Sequence, residues 1–262
     1  MANHVIKSSE NFTFKIFGKL YANKAFRKEL GQCLLDGPHL INSFISAGGE
    51  ILELIRDTTI NSEEVNAIVS RYPKVKVHTL EHDLFTKISE LISVSGVIAL
   101  INIPITPLKK PSGLTLLLDN IQDPGNIGSI LRSAAAVGSE AVFLSKGCSD
   151  VWSPKTLRGS QGAQFFIDCY EQQNLEDLID KFDFPTYALS HNGESIYKNN
   201  FTRDIAFILG SEGQGVSLNL LARANKTLTI PMMKNIESLN VSSAASIVMY
   251  EYYRQFQSVG RS

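Results

Sequence analysis

The chain is short of several things that would narrow its function at once. Its 262 residues include three cysteines and one tryptophan. Cys33, Cys148 and Cys169 stand far apart, with no CxxC pair and no Cys/His cluster, which excludes a disulfide framework and a zinc site of ordinary spacing. No metal is expected. No apolar run is long enough to cross a bilayer, and the opening MANHVIKSSENF lacks the apolar stretch of a secretory leader. A cytoplasmic location with no membrane attachment is therefore the expectation. Excess charge of one sign is missing too. With 25 Lys+Arg against 26 Asp+Glu the formal net charge is −1, which excludes a broadly basic protein but leaves room for a local patch. One such patch lies in residues 7–28, where Lys7, Lys15, Lys19, Lys24, Arg27 and Lys28 face a single acid, Glu10. It reads equally as a solvated face, as a flexible arm or as an RNA contact. Repeats and low-complexity tracts are absent.

What is present is an alternation of strands and helices. Its apolar content, 44%, is ordinary for a globular protein, and this length suits one large or two modest domains. In the first part, strands are expected near 33–35, 51–55, 75–77 and 96–101. Helices are expected at 39–47, stopped by Gly48-Gly49, at 62–70, started by Ser62, and at 84–92. This is a small α/β domain with a mixed or parallel sheet over residues 1–102. The segment IPITPLKKPSG at 103–113 breaks the alternation with three prolines and reads as a linker. From 114 to 262 the alternation resumes with stronger strands at 114–118, 141–144, 165–167, 187–189, 205–209 and 227–230. Helices are expected at 127–137, 175–182 and 218–224. Near-continuous apolar strands separated by helices predict a parallel sheet covered on both faces, and such sheets bind ligands at the carboxyl ends of their strands.

Three stretches are candidates for chemistry. The first, LDNIQDPGNIGSILRSA at 118–134, runs from strand through a Pro/Gly turn into helix. Asn126 stands where an N-cap belongs and Gly138 where a helix stops. Arg132 follows six residues after Asn126, so both are expected at one cleft, with an ordinary surface arginine as the rival reading. The second, LGSEGQGVS at 209–217, ends a strand in a glycine-rich loop. Its spacing is neither the dinucleotide fingerprint nor a phosphate-cradling loop, and Glu212 suits a cationic or neutral ligand. The third, at 228–253, is a short strand halted by Pro231, a polar loop, and a helix. Val241, Ala244, Ala245, Val248, Met249 and Tyr252 share one face of that helix, and Asn240 is placed to cap it. Residues 242–246 are all small. Ser238, Leu239 and Asn240, just before the helix start, suit a polar or anionic ligand, although a well-capped core helix explains the pattern as well. A fourth, weaker stretch at 153–163 offers Lys155 and Arg158, which read either as phosphate contacts or as a solvated helix face.

Taken in order, the first three stretches resemble the three motifs of the SpoU, or TrmH-like, branch of the SPOUT RNA methyltransferases: DNIQDPGNIGSILRSA, ILGSEGQGVS and IPMMKNIESLNVSSAASIVMYE. The resemblance covers residues 114–251. Residues 14–102 look, more weakly, like the L30e-like RNA-binding domain that often precedes this catalytic domain. The resemblance implies an α/β trefoil-knot domain, which acts as a homodimer and transfers a methyl group from S-adenosylmethionine to a ribose 2′-oxygen. Ribosomal RNA is the first expected substrate, transfer RNA the second, and a non-catalytic RNA-binding protein on the same scaffold the third reading. It further implies that Leu209, Gly210, Gly213, Ile230, Ser238 and Leu239 surround the cofactor, and that Arg132, Asn126, Glu212, Ser238 and Asn240 are the functional polar positions. Gly159, Ser160 and Gln161 stand where many relatives carry Ala-Ser-Ala.

Overall fold

The computed structural model describes residues 5–89, 91 and 93–257. Two compact units are present. The first runs to Ile105 and takes in Trp152–Phe165; the second holds Thr106–Val151 and the chain from Phe166 onward. Among the described residues no helix is long and apolar enough to cross a membrane.

The first unit contains β1 (Val5–Ile6), α1 (Phe12–Ala22), α2 (Lys24–Leu30), β2 (Gln32–Asp36), α3 (Pro38–Ser46), β3 (Ile51–Asp57), α4 (Glu63–Arg71), β4 (Lys76–Leu80), α5 (His82–Phe85) and β5 (Val97–Asn102). Its sheet has the order β1-β4-β3-β5-β2. β4 runs parallel to β1 and β3, while β5 is antiparallel to β3 and β2, so the sheet is mixed. Phe17, Leu20, Leu80, Phe85 and Ile98 fill one core cluster.

The basic segment is neither an arm nor a uniform patch: it is α1 and α2. Asn11 caps α1 by accepting from the Thr13 and Phe14 amides, and Asn23 caps α2 by accepting from Phe26. Phe14, Phe17 and Leu20 bury one side of α1. Several of the expected cations are committed within the fold. Arg27 is 4% exposed, and its Nη1 donates to the carbonyls of Leu20 and Tyr21 at 2.5 and 2.8 Å. Lys7 pairs with Glu81 at 3.4 Å, and Lys15 with Glu10 at 2.5 Å. Lys19 lies over the Phe26 ring at 5.4 Å. A cation that donates to buried carbonyls has left solvent, so Arg27 serves the fold.

The helix expected at 84–92 is shorter. α5 gives way to a single 3₁₀ turn, Thr86–Ile88, and Ser89 is extended at φ −114°. There the Ser89 hydroxyl donates to Asp36 at 2.7 Å and accepts from the Leu91 amide, a side-chain-to-backbone bond that competes with helix continuation. Residues 90 and 92 of that expected helix lie outside the described residues.

The second unit opens with β6 (Leu114–Asp119), α6 (Pro124–Val137) and β7 (Ala141–Ser145). The chain then passes back into the first unit for α7 (Pro154–Ser160), where Thr156 and Leu157 are wholly buried. The strand expected at 165–167 is a 3₁₀ turn, Ala163–Phe165. Gln161 and Gly162 take left-handed backbone at φ 54° and 82°, and the Phe165 ring is spent on Trp152 and Phe44 rather than on a strand. β8 (Asp168–Gln173), α8 (Leu175–Ile179), β9 (Thr186–Ser195), β10 (Ile205–Gly210), α9 (Leu218–Arg223), β11 (Lys226–Thr229) and α10 (Val241–Gln257) complete the second unit.

Its six strands are all parallel, in the order β11-β9-β10-β6-β7-β8. Parallel pairing brings the carboxyl ends of β6, β9, β10 and β11 to one edge, which is where the second and third candidate stretches begin. The chain builds outward from β6 through β7 and β8, then crosses to β9 on the far side of β10. β6 and β10, paired from Leu114↔Ile205 to Asp119↔Gly210, therefore flank the point at which the sheet reverses direction. The proline segment before β6 is irregular and pinned to the second unit. Tyr170 donates to the Pro107 carbonyl, Lys109 meets Asp168 at 2.8 Å, Lys110 meets Asp183 at 2.7 Å, and the Gly113 amide donates to Asp204 at 2.7 Å.

Candidate active site

The start of α6 sets the first piece. The helix begins at Pro124, three residues earlier than expected, and its N-cap is Asp123, not Asn126. Proline suits the first helical position because its fixed φ is helical and its missing N–H is not needed there. Asp123 Oδ1 accepts from the Asn126 amide at 2.8 Å. With its capping duty taken by Asp123, the Asn126 side chain is free to project toward the second stretch. Gly138 closes the helix in left-handed backbone at φ 75°.

The second piece is the loop after β10. Ser211 and Gly215 form an isolated bridge, with the Gly215 amide donating to the Ser211 carbonyl at 2.8 Å. The loop folds back so tightly that a Cβ on Gly210 would stand 2.0 Å from the Gly215 carbonyl carbon. Only glycine fits at 210. Gly213 is different: a Cβ there would meet nothing within 4 Å.

The third piece is the start of α10. Asn240 Oδ1 accepts from the Ser242 amide at 2.9 Å, from the Ser243 amide at 3.4 Å and from the Ser242 hydroxyl at 2.6 Å. Capping thus fixes the amide orientation, because the oxygen must face the helix. The Nδ2 group then points away from it, donating to Asn126 Oδ1 at 3.0 Å and to Glu212 Oε1 at 2.7 Å. Asn126 Nδ2 also donates to Glu212 Oε1. Three residues from three separate stretches, up to 114 positions apart, close a polar triangle around one carboxylate.

A cavity of about 280 Å³ lies beside this triangle. Leu209, Gly210, Gly213, Ile230, Ser238 and Leu239 all line it, together with Glu212. Sequence reasoning missed the wall supplied by Leu189, Ser190 and His191 at β9, because those residues match no motif. The small residues of α10 serve contacts within the chain: Ala245 is fully buried, Ser246 meets Ser133 of α6 at 2.9 Å, and Ala244 lines the cavity.

Arg132 does not join the triangle. Six residues along α6 is about 120° around the helix from Asn126. The side chain is exposed, makes no hydrogen bond or ion pair with any described residue, and lines neither this cavity nor its two neighbours. Those neighbours adjoin the outer side of the glycine loop. One, of about 250 Å³, is bounded by Asn120, Asn126, Glu212 and Gln214; the other, of about 440 Å³, by Asp119, Asn120, Glu176 and Gln214 among others. Among the described residues, no group of three or more His, Cys, Asp or Glu side chains is placed to hold a metal. Burial pushes the Cys148 thiol above its ordinary range, against a hydrogen bond from the Ile121 amide, and desolvation beside Glu171 and Asp168 raises Cys169 as well. Neither is a ready nucleophile.

Replacing Asn240 by serine separates its two duties. Serine caps about as well as asparagine, so melting temperature should stay near wild type. The amide donors to Glu212 and Asn126 are lost, so activity should fall by about tenfold or more. Wild-type activity in Asn240→Ser would show that capping is all Asn240 does.

A parallel sheet whose strand ends and loops enclose a cavity beside a fixed carboxylate defines an α/β ligand-binding enzyme domain. The model of the SpoU rRNA Methylase family matches residues 113–250, and the chain belongs to this family. It is 32% identical over 258 residues to an uncharacterized tRNA/rRNA methyltransferase of Synechocystis, covering 95% of this chain and 93% of the relative. It is 31% identical over 250 residues to a 23S rRNA guanosine 2′-O-methyltransferase of Bacillus subtilis, covering 94% and 97%. Among solved structures, the SpoU methyltransferase AviRb of Streptomyces viridochromogenes, in complex with the cofactor AdoMet, superposes with a TM-score of 0.85 at 25% identity, over 96% of this chain and 100% of that one.

Proposed function

We propose that the protein is an S-adenosylmethionine-dependent RNA 2′-O-ribose methyltransferase acting on ribosomal RNA in the cytoplasm. The observation that carries this reading is the placement of the cavity against the Asn126–Glu212–Asn240 triangle. The cavity fits the cofactor chemically. Leu209, Val216, Leu228, Ile230 and Leu239 offer apolar walls to an adenosine, and Glu212 offers a carboxylate to a cation. Its volume, about 280 Å³, lies just under the roughly 300–1,000 Å³ of typical small-molecule sites. The family to which the chain belongs and the Bacillus relative both support the substrate class.

S-adenosylmethionine, when bound, supplies a methyl group activated by its sulfonium centre. The protein's share is orientation. A ribose hydroxyl is a poor nucleophile, and holding it in line is worth several orders of magnitude. Glu212, with one oxygen fixed by two amides, and Asn126 position the ribose; Ser238 stands at the cavity wall beside them. A guanidinium carries five N–H donors and no acceptor, so Arg132 is not the base. It holds an RNA phosphate, orients the hydroxyl, and directs its proton toward that phosphate.

In this reading the chain after β11 threads through the loop that precedes it, forming a trefoil knot. The first unit is an L30e-like RNA-binding domain. The protein is a homodimer, with the knotted region near the subunit contact. Calorimetry tests the cofactor assignment: S-adenosylhomocysteine should bind, and NAD and ATP should not. Binding of NAD or ATP without S-adenosylhomocysteine would reassign the cavity to an ordinary nucleotide enzyme.

A further inference from the structure

The 440 Å³ cavity on the outer side of the glycine loop has no part in the function above. We propose that it seats the base of the target nucleotide, and that it selects a base with adjacent N–H donors on its Watson–Crick edge, guanine above all. This deepens the ribose-methyltransferase reading and rests on it.

Position is the first argument. The cavity lies at the carboxyl ends of β6 and β10, where strand order reverses, the place at which doubly wound sheets bind their ligands. The cofactor site proposed above lies to the other side of β10, toward β9 and β11, which leaves the reversal point for a second ligand. Continuity is the next. The 250 Å³ cavity touches Asn126 and Glu212, where the ribose is placed, and shares Asn120 and Gln214 with the larger one. A nucleoside with its sugar at the triangle has its base directed along this groove.

Chemistry narrows the ligand. Leu175 and Leu220 close its floor, and Asp119 and Glu176 place carboxylates in the wall; Glu176 already accepts from Asn219 at 3.0 Å and lies 3.7 Å from Arg223, so Asp119 is the principal acceptor. Carboxylates repel phosphate and accept from base N–H groups, and single-stranded RNA is read on such edges. Asp119 Oδ2 accepts from the Ser217 amide at 2.9 Å, and its Oδ1 has no partner among the described residues. Lys146, exposed on the rim, forms no ion pair with a described residue and suits the nucleotide's phosphate. The wall is also held rigid. Asn120 adopts left-handed backbone at φ 55°, its amide donates to Ser145 Oγ at 2.9 Å, and its side chain lies so close over Gly147 that a Cβ there would sit 2.0 Å from Asn120 Oδ1. A non-glycine residue keeps this conformation only where its surroundings over-determine it.

The test titrates protein saturated with S-adenosylhomocysteine with the 5′-monophosphates of guanosine, inosine, adenosine, cytidine and uridine. Guanosine monophosphate should bind tightest, and inosine monophosphate, lacking the 2-amino group, roughly tenfold more weakly. Asp119→Asn keeps an acceptor for Ser217, so it should fold and bind S-adenosylhomocysteine as wild type does. It should weaken guanosine monophosphate by about tenfold and erase the preference over inosine. Glu176→Gln, on the partly exposed α8, should also weaken guanosine monophosphate and serves if the first variant does not fold. Equal binding of all five nucleotides, no binding of guanosine monophosphate, or indifference to both substitutions would overturn the base seat. Failure of S-adenosylhomocysteine itself to bind would instead strike the methyltransferase reading.

Discussion

Arg132→Ala is expected to lower methyl transfer to RNA by about 10²–10³-fold, the usual cost of removing one group aimed at a transition state. Affinity for S-adenosylhomocysteine should stay within about twofold, because sites without shared partners act independently. The structure makes the expectation specific. Arg132 is exposed, unpaired among the described residues and apart from the 280 Å³ cavity, so its loss costs neither fold nor cavity. Only a role toward RNA is left to lose. Lysine in its place keeps a charge but not the planar fork that grips phosphate with two N–H groups, and should recover only part of the rate. Turnover at the wild-type rate in the alanine variant would remove Arg132 from the mechanism.

Gly210→Ala should do its damage at the opposite point: it should abolish cofactor binding. The added methyl would meet backbone carbon and oxygen of Gly215, both at 2.0 Å. Neither side can yield cheaply. Gly210 is held in register opposite Asp119 at the end of β10, and Gly215 is tied to Ser211. Ordinary overpacking costs about 1–3 kcal/mol because side chains adjust; backbone against backbone has no such freedom, so the loop must open. The expected result is loss of S-adenosylhomocysteine binding by about 100-fold or more, with a lowered melting temperature. Gly213→Ala is the natural comparison, since nothing stands within 4 Å of the new methyl. Its melting temperature should not change, and any loss of affinity then reports a ligand passing over that residue. Wild-type affinity in Gly210→Ala would mean that the loop is not a wall of the cofactor site.

The features legible in the sequence are those fixed by a few neighbouring residues. Asn240 before an apolar periodic run announced a helix start, and Gly138 a stop, because capping is local chemistry. The parallel sheet followed from apolar strands alternating with helices. Asp123-Pro124 carried an equally local signal, a cap followed by a proline at the first helical turn, and it outranks Asn126. That shift matters for function, since Asn126, spared from capping, uses its amide nitrogen on Glu212 and its oxygen on Asn240. Phe14, Phe17, Leu20 and Tyr21 held a helical pattern within the basic segment, which a count of lysines conceals. Arg132 stood six residues from Asn126, a separation that helical geometry places on a different side.

Other features have no local signal. Nothing within residues 152–165 says that they pack among the first unit's helices and strands, because the choice of partner is made by surfaces distant in the chain. The cavity wall at Leu189–His191 is set by the pairing of β9 with β10 and β11, not by its own residues. The meeting of Asn126, Glu212 and Asn240 was readable only through the resemblance of three motifs, since no spacing along the chain implies it.

The most direct measurement is methyl transfer itself. Ribosomal RNA from cells lacking the protein is incubated with it and with S-adenosylmethionine carrying a tritiated methyl, then hydrolysed in alkali. A ribose 2′-O-methyl blocks cleavage of the adjoining phosphodiester, so the account predicts label in alkali-resistant dinucleotides, lost with Arg132→Ala. Label released in mononucleotides, which marks methylation of a base, or transfer to transfer RNA alone, would contradict it.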